Sequence, residues 1–281
     1  MTTPILKRTI PSDEVRPFER LLYHYQVEKE LAAKLKAASR LERPAVYPAV
    51  YEELFQRVRD HPSRTRASSR EARIAQVREL LKVIEPWLNE AVIYLEIGAG
   101  DAALAREVAK RVRRVYALEV SRTIIESRDL PDNLEVMIIQ GIDVPVSPGS
   151  IHLAYSNQVM EHLHPEDAHD QLLNINRALK AGGKYICITP NCLTGPHDIS
   201  RYFDVAASGL HLKEYTVSEL KRMMQAAGFR RVSACYVIRG GPWIVPGSVG
   251  QFVEWLLAKV PARVRRDWFS GLICHCVIST K

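Results

Sequence analysis

Glu96, Gly98, Gly100 and Asp101 crowd into six consecutive residues, and Glu119 follows where the next strand ends. Two glycines flanked by carboxylates can hold the polar part of a nucleotide-like ligand, because glycine allows positive φ and close approach of the backbone. The apolar run Val92-Ile93-Tyr94-Leu95 before the turn and the helix-forming run Ala102 to Val108 after it read as the opening of a βαβ unit. Val115-Tyr116-Ala117-Leu118 then supplies a second strand, and Glu119 at its end lies about 20 residues after the glycines, where a ribose-binding carboxylate belongs. A second set of reactive side chains is histidine-rich. Residues 161 to 169 hold Glu161, His162, His164, Glu166, Asp167 and His169; a loop around Pro196 carries His197 and Asp198, and His211 follows. His197 is the first candidate for a base or substrate ligand, with Asp198 beside it and His162 and His164 next, since imidazole titrates near neutrality. Against each stands the plain role of capping a helix or satisfying a buried backbone group.

Charge discriminates between the ligands that such a turn can hold. The run from Gly98 to Ala103 also fits the dinucleotide fingerprint with alanine in its last place. A pyrophosphate wants positive potential, however, and Glu96 and Asp101 would oppose it. S-adenosylmethionine has no phosphate and carries an ammonium and a sulfonium, which an acidic rim favours, while Glu119 can accept both ribose hydroxyls. An NAD(P)-dependent oxidoreductase and a non-catalytic cofactor-binding scaffold remain as alternatives.

From about residue 75 to 281 the chain resembles the class I S-adenosylmethionine-dependent methyltransferases, in particular the branch with quinone-biosynthesis and small-molecule enzymes. The marks are Glu96-Ile97-Gly98-Ala99-Gly100, Glu119, the stretch from Tyr155 to Asp167, and Leu179-Lys180-Ala181-Gly182-Gly183 running on to Asn191. The resemblance implies a Rossmann-like fold, with Asn157, Gln158 and His162 at the boundary of cofactor and acceptor and with Gln140, Gly141 and Ile142 flanking the adenine. It also implies methyl transfer to a small or lipid-linked acceptor. Oxygen is the favoured acceptor atom, because in-line displacement needs the acceptor held about 3 Å from the methyl and a hydroxyl must lose its proton, which a loop histidine can take. The departures are Gln140 where the family often has Asp, Ala102 and Ala103 in place of a third glycine, and His152 where Asp commonly opens the fourth strand.

The elements that must position these residues follow from periodicity. Apolar positions at near-helical spacing predict a helix over 13–42, with Asp13 as cap; Pro44 and Pro48 break the pattern, and further helices are expected over 50–58 and 70–84. Strands near 91–97, 114–119, 134–139, 151–156, 184–189, 231–238 and 272–279 alternate with helices near 102–112, 122–128, 166–180 and 216–227, which implies a doubly wound, seven-stranded α/β sheet. Residues 1–90 are thus expected to form a helical extension, a lid over the acceptor or a dimerisation surface, with packing against the sheet edge as the plainer reading, and 91–281 the methyltransferase domain with an insertion at 240–271. Within the insertion, Trp243, Ile244 and Val245 precede a helix over 249–260 and the basic residues Arg263, Arg265 and Arg266. Core packing is the first reading of that apolar helix; contact of 243–269 with an anionic membrane surface is the second.

Composition narrows the class further. Of 281 residues 47% are hydrophobic and charge is mixed, as in a globular enzyme, and there is neither a signal-peptide core near Met1 nor a run of about 20 apolar residues. A cytoplasmic address, with peripheral membrane contact as an option, is expected. Five scattered cysteines suit a reducing compartment, and Cys274-His275-Cys276 reads as a strand that throws its sulfurs to one side rather than as a zinc site. No metal is expected: a set of Glu161, His162 and His197 lacks a spacing signature. The net charge of +7 invites nucleic acid, but Arg57, Arg59, Arg64, Arg66, Arg70 and Arg73 lie in a connector without interleaved aromatics, so a solvated linker or pairing with the protein's own carboxylates is the expectation.

Overall fold

A computed structural model describes residues 6, 8, 10, 11, 14–62, 70–125, 129–238 and 241–281. The sheet opens with β1 (Ile93–Ile97), β2 (Arg114–Glu119), β3 (Leu134–Ile138), β4 (Ile151–Asn157) and β5 (Leu179–Ile188), all paired in parallel. It closes with β6 (Arg231–Ile238), β7 (Gly241–Pro246) and β8 (Cys276–Thr280), which pair antiparallel. The order is β3-β2-β1-β4-β5-β8-β6-β7. The eighth strand corrects the expected seven: it comes from the insertion, where Gly241 to Pro246 lies along β6 as an edge. Prolines at 242 and 246 fit there because an edge strand leaves part of its ladder unpaired.

The helices are α1 (Phe18–Ala37), α2 (Arg43–Arg57), α3 (Arg70–Ile84), α4 (Ala103–Ala109), α5 (Pro165–Ala178), α6 (Val217–Ala226), α7 (Gly247–Ala258) and α8 (Ala262–Trp268). Alternation along the strands feeds two cores, one on each face. Leu95 and Ile97 of β1 join α1, α2, α5 and α6 on one side, whereas Tyr94 joins α3 and α4 on the other. Helices α1 and α2 therefore share a core with the sheet, since Leu31, Leu35, Val50 and Leu54 pack with Leu118 and Ile139.

Several expectations shift. Pro44 begins α2 instead of breaking it, because proline's fixed φ suits the first turn, and Pro48 sits inside the helix. α1 starts after Pro17, with no side-chain cap, and Asp13 lies outside the described residues. Residues 122–124 form a turn where a helix over 122–128 was expected, and 126–128 lie outside the described residues. Gly182 and Gly183 do not separate α5 from β5; the strand absorbs them as an irregularity between the pairs Ile151↔Leu179 and Leu153↔Lys184. β8 begins at Cys276, and Cys274, Cys276 and Cys235 are buried free thiols.

Candidate functional site

The β1 turn opens at the point where strand order reverses, between β2 and β4, the crevice where open α/β sheets bind ligands. Gly98 takes φ +69, and a Cβ there would stand 2.5 Å from Val159 Cγ2, so the residue must be glycine for the β4 loop to close beside it. Gly100, at φ +56, has open space where its Cβ would be. Together they border a cleft of about 440 Å³, within the range of small-molecule sites. Glu96, Gly98, Gly100, Asp101, Glu119, Gly141, Asn157, Gln158 and His162 all line it. Gln140 is exposed and Ile142 packs into the core, so neither is in the lining.

Three carboxylates dominate one end. Glu119 accepts the amides of Gly100 (2.8 Å), Val120 (2.8 Å) and Ser121 (3.0 Å). A carboxylate has about four acceptor positions, so capacity remains for a hydroxyl; burial keeps its pKa above the ordinary carboxylate value. Glu96 Oε2 is buried without a hydrogen-bond partner among the described residues. Its pKa rises to about 8, chiefly through burial and then through the charges of Asp101 and Glu119. Asp101 accepts the Ala103 amide at 2.9 Å and pairs with Arg73 of α3 at 2.9 Å, so the guanidinium in the lining is neutralised. Such a rim disfavours pyrophosphate and suits a ligand carrying an ammonium. Two non-glycine residues with positive φ, Ala102 (+60) and Gln158 (+58), flank the same cleft, a strain found where backbone position serves a site.

α2 roofs the cleft with Tyr47, Tyr51 and Phe55, and α3 adds Gln76, Val77 and Leu80. Tyr51 and Phe55 fall within the helix expected over 50–58, but nothing in the sequence aimed that helix at the glycine turn. Both ends of α2 are tied down. Arg43 binds Asp167 (2.8 Å) and Glu166 (2.7 Å), Tyr47 donates to Asp167 (2.7 Å), and Glu52 accepts from Ser121 (2.9 Å) and Thr123 beyond β2.

The histidines divide. His162 reaches the cleft, where Tyr51 packs edge-on against it; its Nδ1 lies 3.0 Å from the Leu210 carbonyl, and burial, followed by the charge of His211, lowers its pKa to about 3. Behind it, Glu161 is buried, with Oε1 lacking a hydrogen-bond partner among the described residues and Oε2 accepting from Thr189 (2.9 Å), and burial raises its pKa to about 7. His164 caps α5, accepting the Glu166 amide. His197 is held by Thr194 and the Asn191 carbonyl, and burial lowers its pKa. Asp198 accepts the amides of Ser200 and Gly209. None of these three lines the cleft; each fills the local capping or backbone role that competed with catalysis in the sequence.

A Rossmann-like sheet with an acidic glycine turn at its switch point defines a class of nucleotide-cofactor enzymes. A family model described as a methyltransferase domain matches residues 69–234, more than half the chain, and the protein belongs to that family, the class I S-adenosylmethionine-dependent methyltransferases. A chain in the complex between the Haloferax volcanii Trm112 methyltransferase activator and the putative methyltransferase is similar, with TM-score 0.54 and 16% identity over 79% of this chain and 94% of that one. Phosphoethanolamine N-methyltransferase 1 of Haemonchus contortus, in complex with phosphoethanolamine and S-adenosylhomocysteine, gives TM-score 0.54 and 16% identity over 84% of this chain and 49% of that one. The 1,6-didemethyltoxoflavin-N1-methyltransferase of Burkholderia thailandensis gives 0.52 and 16%, over 87% and 91%. A curated relative, a highly reducing polyketide synthase of Aspergillus terreus, is 34% identical over 105 residues; the match spans only 4% of that protein's length.

Proposed function

We propose that the protein transfers a methyl group from S-adenosylmethionine to an oxygen of a small or lipid-linked acceptor bound at the His162 end of the cleft. When bound, S-adenosylmethionine supplies an electrophilic methyl on a sulfonium. Glu119 holds the ribose, Glu96 faces the ammonium, and Gly98 and Gly100 let the backbone come close. The unpartnered, buried Glu96 oxygen carries the cofactor assignment, because such a group is costly unless a ligand satisfies it.

Oxygen is favoured by what surrounds His162. The His162 imidazole, kept neutral by burial, lines the cleft as a hydrogen-bond acceptor that orients a hydroxyl, with the buried Glu161 carboxyl beside it. The N-terminal helices act as a cap: α1 and α2 spend their leucines and valines inside the chain's own core, which favours a roof over a dimer contact.

The lipid-linked option rests on the insertion. Among the described residues no helix is long and apolar enough to cross a membrane. Yet α7 buries Glu254 beside Leu257 and exposes Phe252, Trp255 and Leu256. We assign this face to an anionic membrane surface.

The central test is product analysis by mass spectrometry with paired acceptors differing only in hydroxyl or amine. His162→Ala should cut turnover about 100-fold while S-adenosylhomocysteine affinity changes little. Methylation of the amine members alone would remove oxygen as the acceptor atom.

A further inference from the structure

We propose that Glu161, His162 and His211 form a three-ligand site for a divalent transition-metal ion at the acceptor end of the cleft. One ligand atom from each lies within 4.8 Å of the others, although the residues come from the loop after β4 and from a segment some fifty residues later. The sequence presented His197 as the third member; folding brings His211 there instead.

Four observations carry the assignment. Each imidazole is oriented as metal-ligating histidines are, with Nδ1 directed at an oxygen, so that Nε2 is the atom left for an ion; on His211, whose neighbouring carboxylates raise its pKa, the ion displaces a proton. For His162 that oxygen is the Leu210 carbonyl at 3.0 Å, and for His211 it is Glu214 Oε1 at 2.8 Å. Next, Glu161 is 0% exposed, and its Oε1 has no hydrogen-bond partner among the described residues, while Thr189 fixes the other oxygen. A buried, unsatisfied carboxylate oxygen calls for a cation. Third, the surroundings are acidic, since Glu28, Asp198 and Glu214 are also buried and act on this group of residues through space. Finally, His162 lines the cofactor cleft, which gives an ion an entry path and an open position facing the acceptor.

The similar group His24, Glu28 and His61 shows what a self-satisfied cluster looks like. There one Glu28 oxygen takes His24 at 2.7 Å, the other takes the Leu210 amide at 3.1 Å, and Arg16 bonds His24 Nδ1. That group offers an ion no vacant oxygen.

Two imidazoles and one carboxylate suit Zn²⁺, Mn²⁺, Fe²⁺ or Co²⁺. This inference rests on the methyltransferase reading and gives it a means of activating a hydroxyl. The ion polarises the acceptor O–H, whose proton leaves to solvent. The oxygen lone pair forms the O–CH₃ bond, and the electron pair of the breaking S–CH₃ bond returns to sulfur as the sulfonium becomes a thioether. No oxidant or reductant is required.

The test uses the full chain after chelator treatment, titrated with Zn²⁺, Mn²⁺ and Co²⁺ by calorimetry, with S-adenosylhomocysteine binding measured in parallel. One equivalent should bind, and Co²⁺ should give the absorption of a nitrogen and oxygen site without thiolate charge transfer. His211→Ala and the near-isosteric Glu161→Gln should each weaken metal binding by more than 100-fold. Glu214→Gln, which removes only the orienting carboxylate, should cost about 10- to 100-fold. His61→Ala, in the other cluster, should leave the stoichiometry at one. S-adenosylhomocysteine affinity should persist in all of these variants, so loss of metal binding and failure of the cofactor assignment give different results. No stoichiometric ion in the wild-type chain, thiolate absorption with Co²⁺, or undiminished binding in both Glu161→Gln and His211→Ala would overturn the site.

Discussion

Near pH 7 the Glu96 carboxyl keeps its proton, because burial, reinforced by Asp101 and Glu119, raises its pKa to about 8. A cationic ligand prefers the ionised form, so binding must release that proton. Affinity for S-adenosylhomocysteine should therefore climb between pH 6.5 and 8.5, approaching about tenfold per unit below the pKa. The unliganded protein should show the opposite slope. A carboxyl whose pKa is raised on folding binds its proton more tightly in the native state, so its contribution to stability falls as pH rises from the ordinary value towards 8. Calorimetry and thermal melts across that window measure both, and Glu96→Gln should flatten both. A level affinity profile in the wild-type protein would remove Glu96 as the ammonium's partner. Residues of this kind were legible in the sequence because strand, turn and carboxylate are contiguous: Glu96, Gly98, Gly100 and Asp101 could hardly avoid one another. Glu119 was legible through the fixed length of a βαβ unit. His211 was visible only as a histidine, since its meeting with Glu161 depends on how the segment after β5 folds back.

At the scale of elements, hydrophobic periodicity recovered the parallel strands, and it failed where polar contacts decide. Residues 122–124, where a helix over 122–128 was expected, form a turn at a point where Ser121 and Thr123 bond Glu52 of α2; hydroxyls that bind elsewhere compete with helical order. The edge strand β7 was hidden by its glycine and prolines. α2 itself was half seen, because Pro44 read as a breaker although it starts the helix. This helix joins fold to function, and its anchor is the Arg43 pair with Asp167, the two residues being 3% and 4% exposed. Arg43→Ala strands a buried carboxylate and should destabilise the chain by about 3–5 kcal/mol, read from denaturant unfolding. Because Tyr47 donates to the same Asp167 and lines the cleft, S-adenosylhomocysteine affinity should fall as well. A variant with full stability and full affinity would show that α2 is not held by this pair.

For the whole molecule, the distribution of exposed apolar side chains is uneven. Trp243, Phe252, Trp255, Leu256 and Trp268 are all about half exposed or more, and all lie between β7 and the end of α8. Core packing, the first expectation for this helix, holds only on the side of Gly250, Glu254 and Leu257, and for a polar reason. Glu254 turns inward to accept the Val217 and Ser218 amides at the start of α6 and the side-chain amide of Asn191, a placement that the helix dipole favours. Satisfying the end of α6 thereby points the aromatic face of α7 outward. Lys259 lies 3.5 Å over the Trp255 ring, and Arg263, nearly fully exposed, is 3.8 Å from Asp267, so the cations near the apolar face are Lys259 and this partly paired arginine. Arg265 is not available to lipid, because it binds the carbonyls of Leu193 and Val260 and closes the end of α7. An aromatic face ringed by cations enters the headgroup region of anionic bilayers, with each basic residue contributing about 1 kcal/mol. Co-sedimentation should therefore occur with anionic vesicles at low salt, weaken at high salt, and be absent with neutral vesicles. Lys259→Ser with Arg263→Ser should remove the salt-sensitive part, and Trp255→Ser with Trp268→Ser should abolish binding, both without changing S-adenosylhomocysteine affinity. If the wild-type protein stays in the supernatant with anionic vesicles at low salt, the membrane assignment fails and a freely diffusing acceptor becomes the better reading.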